Sequence, residues 1–193
     1  MRVLPGLLLF SLFFLAAHEL PSQSAPSSAA ASMQRKLEHI ERNGALAKPD
    51  TSPTEFTEAE VNACFASGNI PLPTGVRSVK FQGQPGVVTG TARVDFDQVK
   101  AGRSSYNPLL SMFGGIHDVM VIAHAYGRLG EGFVHVDSVS LDNVQIPRFA
   151  LQLFVEKYLK PKYPNVGLDS RFDLPARVDS ATVGLHTLTV TQK

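Results

Sequence analysis

Two of the six histidines, His124 and His135, lie in stretches where apolar and polar residues alternate, on either side of the turn signal Arg128-Leu129-Gly130-Glu131. If those stretches pair about the turn, the imidazoles become cross-strand neighbours, and Asp137, two residues past His135, shares their face. A His/His/Asp set has the donor chemistry of a zinc-type centre. The plainer reading is a row of polar side chains on the wet side of a sheet. His117-Asp118 and His186 are isolated in sequence, and neither an HExxH pattern nor any closely spaced ligand set occurs, so the expectation is no metal and no cofactor.

Nucleophiles find equally little support. No serine sits in a GxSxG elbow, and no Gly-rich loop opens a helix as phosphate binding requires. Gly130-Glu131-Gly132 belongs to a hairpin turn. Asp95 and Asp97 stand two apart in a predicted strand, which puts both carboxylates on its wet face, where solubility explains them without a glycosidase role. Cys64 is the single cysteine, so the chain has no internal disulfide, and its place in a predicted helix marks a buried structural thiol. No catalytic residue is expected.

The elements that must carry these groups follow from patterning. Thr57-Glu58-Ala59-Glu60 is a capping box opening a helix through Val61, Ala63, Cys64 and Phe65 to a stop at Gly68. Val76, Val79 and Phe81 lead through Gly83-Gln84-Pro85-Gly86 into a second strand, where Val88, Ala92, Val94 and Phe96 alternate with polar residues. Leu109, Leu110, Met112 and Phe113 fall between Asn107-Pro108 and Gly114-Gly115 and read as an apolar flap. After the strands at 117–126 and 132–141, Pro147 starts a helix through Leu159 that is apolar over most of its circumference. Closing strands cover 172–175, 178–183 and 185–191. The order predicts an α+β fold: a strongly curved, mainly antiparallel sheet wrapped around one long apolar helix, plus a short N-terminal helix over Met33–Asn43 with Ser32 as its cap.

Compartment and partners are bounded by the N-terminus and by charge. One Arg2 precedes the apolar run Val3–Ala17, shorter than the about 20 residues of a membrane span and followed by small and polar residues. Residues 1–24 read as a secretory signal, 25–53 as a flexible linker with room for a short helix, and 54–193 as one domain. The mature chain is expected outside the cytoplasm, periplasmic or extracellular; uncleaved, the signal would act as an N-terminal anchor. A net charge of +1 without clustered Lys/Arg excludes nucleic acid as the expected partner.

The surplus of apolar residues in 109–113 and 149–159 asks for more than a core. Either it completes one, or it lines a groove for an apolar ligand, with Leu109, Leu110, Phe113, Leu151, Phe154, Val155 and Tyr158 as the lining. The layout, with Phe56-Thr57-Glu58-Ala59-Glu60-Val61-Asn62 before paired strands and Val136-Asp137-Ser138-Val139-Ser140-Leu141 leading into Val144-Gln145-Ile146-Pro147, resembles bacterial envelope proteins of the tubular lipid-binding (TULIP-like) kind over about Glu55–Gln192. That resemblance implies a long helix in a curved antiparallel sheet and an apolar groove for lipid; it supplies no catalytic residue. The lipidation cysteine of related lipoproteins is missing, which favours a soluble or signal-anchored protein. The expected function is therefore non-enzymatic binding of lipid or another apolar small molecule. The rivals are an interaction module with an envelope protein partner, marked by an exposed apolar patch, and an envelope lipid hydrolase, marked by a nucleophile and base converging in the groove.

Overall fold

A computed structural model describes residues 27–101, 114–160 and 167–193. Its described elements are α1 (Ser28–Gly44), β1 (Thr54–Thr57), α2 (Glu58–Ala66), β2 (Val76–Gln84), β3 (Val87–Asp95), α3 (Phe96–Ala101), β4 (Ile116–Arg128), β5 (Glu131–Leu141), β6 (Val144–Gln145), α4 (Arg148–Phe154), β7 (Asp169–Asp173), β8 (Val178–Val183) and β9 (Thr187–Gln192). Every strand pair among them is antiparallel.

The spine is the long β4–β5 hairpin, closed by Leu129 and Gly130 in left-handed conformations. On the outer edge of β5 lie β6 and β7. The other edge of β4 is divided: β3 pairs with Ile116–His124, and β8 takes over at Tyr126 and Gly127. Two ribbons, β2–β3 and β8–β9, therefore leave the same strand, and β1 adds to β9. The seam at Gly127 is tight, since a Cβ there would stand 2.8 Å from the Ala181 amide nitrogen and 2.8 Å from Leu174 Cδ1. Near their tips the ribbons meet again, where Gly86 N donates to Val183 O (2.9 Å) and His186 N to Gly83 O (2.9 Å).

The core sits where α1 and α2 cover the sheet. In α1, Met33, Leu37 and Ile40 recur at helical spacing, and Met33 and Ile40 are fully buried with Phe56, Cys64 and Phe65. The segment read as a linker with a short helix thus holds a 17-residue helix whose cap is Ser27, not Ser32. Gly44 ends it, and a side chain there would overlap the carbonyl of Ala176. At the far end of the core, buried Asn43 bonds Gln192 Oε1 (2.8 Å), and Gln192 in turn donates to Ile40 O (2.8 Å). The buried Cys64 thiol is pushed up in pKa by its burial, as expected of a structural cysteine.

One architectural expectation is overturned: among the described residues, no long apolar helix is wrapped by the sheet. The stretch after Pro147 forms the seven-residue α4 and a five-residue π turn, Val155–Leu159. None of Arg148–Phe154 is buried, and Phe149 and Leu153 are 71 % and 54 % exposed. An apolar circumference reports how much surface a helix could bury, not which element reaches it first. Here α1 and α2 occupy the sheet face that this helix was expected to fill.

At the other end of β4, His117 Nδ1 meets Asp142 Oδ2 at 2.5 Å, while Nε2 bonds Gly114 O at 2.9 Å. The Asp142 carboxylate holds the His117 pKa above its ordinary 6.5, and the imidazole holds Asp142 below its ordinary 3.8. The His117 contribution is complete below 6.5 and lost as pH rises through the raised value; the Asp142 contribution is lost on acidification through the lowered one. The stability gap between wild type and His117→Asn, measured by urea titration, should therefore be widest near pH 5–6 and shrink by pH 8–9. A gap that does not change with pH would remove the pair as a stabilising contact.

Candidate functional site

The described structure opens an apolar cleft where α2 meets the tips of the two ribbons, and the motif Thr57–Asn62 builds it. Thr57 Oγ1 accepts from Glu60 N (3.2 Å), and Glu60 Oε2 accepts from Thr57 N (2.8 Å), so the capping box read from sequence is present. Asn62, one turn past Glu58, clamps β2 through both amide atoms, to Phe81 O and Phe81 N at 2.8 Å each. Phe65 packs on Phe81 with ring centroids 5.1 Å apart. Those contacts fix the helix so that its first turn presents Glu58 to the ribbon tips.

Glu58 Oε2 accepts from Gly83 N at 3.1 Å and pairs with His186 Nδ1 at 2.7 Å. Two backbone bonds tighten the junction: Glu58 N to His186 O (2.8 Å) and His186 N to Gly83 O (2.9 Å). His186 is held there in the left-handed region, φ 56°. Burial alone would raise the Glu58 pKa, but the hydrogen bonds from His186 and Gly83 and the His186 charge outweigh it and hold the carboxyl below its ordinary range.

Behind this pair is a cavity of about 60 Å³, open to solvent on one side, with walls from Phe56, Val61, Phe81, Val88, Val183 and Leu188. The polar residues in its lining are Glu58, His186 and Thr187. The enclosed space holds about four waters and is well short of the ~150 Å³ of an apolar cavity that takes up a whole benzene ring, so a ring enters it only by one edge, from the open side. A whole acyl chain needs the ~300 Å³ or more of ordinary ligand pockets.

Of the residues expected to line a groove, only those of 151–158 fall within the described residues. Leu109, Leu110 and Phe113 lie outside the described residues. Leu151 and Phe154 are half-buried in α4 and Val155 is buried at its end, and these three do not line the cleft; Tyr158 belongs to the π turn. Hydropathy patterning located apolar mass, whereas the cleft collects single residues from β1, α2, β2, β3, β8 and β9. Glu58 and His186, 128 positions apart, left no shared signal in sequence.

The histidine reading is met in register: His124 stands opposite His135. A β-bulge follows, because Ile122 pairs with Ser138 and Ala123 with Val136, leaving Asp137 as the extra residue. Asp137 reaches both rings, at 2.8 Å from His124 Nδ1 and 3.7 Å from His135 Nε2. His135 Nδ1 bonds Asp169, which also lies 3.5 Å from Arg148. The result is a surface chain of alternating imidazoles and carboxylates ending at Arg148, and among the described residues no set of three His, Cys, Asp or Glu is placed to hold a metal ion. Asp95 is a correction. Instead of lying wet beside Asp97, it is buried at the end of β3, pairs with Arg77 at 2.6 Å, and accepts from the amides of Asp97 and Gln98 to cap α3.

Fold and site together define an α+β protein with a divided antiparallel sheet, two helices on one face, and a small apolar cleft rimmed by a carboxylate–imidazole pair. No family model, curated protein or solved structure matches this chain. Among the described residues, no helix is long and apolar enough to cross a membrane.

Proposed function

We propose that this is an exported, non-enzymatic protein that binds a small apolar molecule, or the apolar end of a larger one, in the cleft between α2 and the ribbon tips. The observation that carries this reading is the wall itself: six apolar side chains from six different elements line a space left open to solvent. The cleft takes the place of the groove expected beside the 148–159 helix, and its size replaces an enclosed lipid chain with a ring or short branched group. Burying about five methylene equivalents contributes about 4 kcal/mol, which corresponds to a Kd of about 1 mM before any polar contact.

Toluene titrated into the ¹⁵N-labelled protein tests the reading by amide shifts. The expected result is saturable movement at Gly83, Val88, Val183 and Leu188, abolished in Val88→Phe, whose ring fills the cleft, and weakened in the milder Val183→Leu. No saturable shift in the wild type, or shifts that survive the filled cleft, would overturn it. Exposed Phe149 and Leu153 support a second reading, an interaction module of an envelope assembly. A cleft that takes up no ligand would leave that one standing.

A further inference from the structure

Resting on that reading of the cleft, we propose that Glu58 and His186 make it selective for a neutral apolar molecule bearing a hydroxyl, which donates its hydrogen bond to Nε2 of His186. The geometry fixes which nitrogen is available. Nδ1 faces the Glu58 carboxylate at 2.7 Å and so carries the proton. In the neutral ring Nε2 is then a lone-pair acceptor, and among the described residues it has no partner.

The backbone that carries the ring is fixed at the cleft. It is pinned by bonds from Glu58 N to His186 O and from His186 N to Gly83 O, and the carboxylate that orients the ring is anchored by Gly83 N. A carboxylate holding an imidazole in one tautomer, with the second nitrogen left without a protein partner among the described residues on a side chain that lines an apolar cavity, is a preorganised acceptor. Charge sets the second part of the selectivity. Glu58 places a carboxylate at the mouth, so a carboxylate ligand such as a fatty acid meets a like charge there and a neutral hydroxyl does not. A phenol that enters the open cavity by one ring edge keeps its oxygen at the rim, within the polar lining of Glu58 and His186.

The measurement is a set of parallel NMR titrations at pH 7.5 with phenol, with toluene, which has the same shape but no donor, and with benzoate. Toluene is the more apolar molecule, so the cavity alone would favour it. A net hydrogen bond should reverse that order and make phenol bind about threefold to tenfold tighter, with benzoate weakest. His186→Asn keeps a residue that tolerates the left-handed backbone and shortens the side chain away from the ligand; its amide spectrum reports folding, and its phenol-to-toluene ratio should fall below one. Toluene binding as tightly as phenol to the wild type would overturn the selectivity while leaving the cleft a ligand site. A phenol preference that persists in His186→Asn, or tight benzoate binding, would overturn it too. Failure of all three ligands to bind would overturn the cleft reading and this inference together.

Discussion

Phe56→Ala should destabilise the domain by about 3–5 kcal/mol, read as a lower urea midpoint at unchanged slope. Phe56 is 1 % exposed and is among the largest fully buried side chains. It points from β1, which is anchored to the sheet by β9 alone, and stands opposite Leu188 in the ladder. Truncation therefore leaves a void between an edge strand and the helices, and neighbours held by the capping box and by the Asn62 clamp on Phe81 have little freedom to close it. A domain of this size has about 5–15 kcal/mol in total, so the loss takes a large share of the stability and should lower the melting temperature by many degrees. Phe56 is also a wall of the cleft. In the folded variant the cavity should widen and admit a bulkier ring than toluene. A loss below about 1.5 kcal/mol would show that the site collapses around the missing ring.

How far sequence carries depends on whether a contact is local. The capping box was legible because both of its hydrogen bonds span three residues, and the β4–β5 hairpin because its strands alternate on either side of a short turn. His124 opposite His135 followed from that alone. The bulge at Asp137 did not, since one extra residue changes neither composition nor alternation enough to be read. The long wrapped helix failed for a different reason. Apolar density around 149–159 is a statement about transfer free energy, and the place in the core is taken by α1, whose three large apolar residues leave packed or loose undecided in sequence. In the motif Thr57–Asn62, the roles of Thr57 and Glu60 were local, but Glu58 and Asn62 act on β2 and on the β8–β9 turn. Those contacts exist only after the ribbons have converged, so the cleft they frame had no sequence signature.

Glu60→Gln should cost about 2–3 kcal/mol at neutral pH, and this difference should vanish under acid. The Glu60 carboxylate is the junction of three elements: Lys36 Nζ of α1 lies 2.7 Å from Oε1, Ser32 Oγ donates to the same oxygen at 2.6 Å, and the Thr57 amide donates to Oε2 at 2.8 Å. Lys36 also donates to Glu55 O at 2.7 Å and stands over the Phe56 ring, 5.9 Å from its centroid. Burial of Glu60 works against its charge, but the Lys36, Ser32 and Thr57 contacts prevail and bring its pKa from 4.5 down to about 2. At about 1.4 kcal/mol per pH unit that interval corresponds to about 3 kcal/mol favouring the ionised form, reduced somewhat because Lys36 is partly solvated. The folded value lies below the unfolded one, so the stabilisation is present above pH 4.5 and is lost as pH falls from 4.5 toward about 2. Urea midpoints of wild type and Glu60→Gln, followed from pH 7 to pH 2, should therefore converge across that window. Parallel curves would mean that the amide replaces the carboxylate in full and that charge contributes nothing at this junction. Because Glu60 and Phe56 both touch Lys36, their effects should not add: Glu60→Gln in a Phe56→Ala background should cost less than it does alone, since β1 and α1 are already loosened.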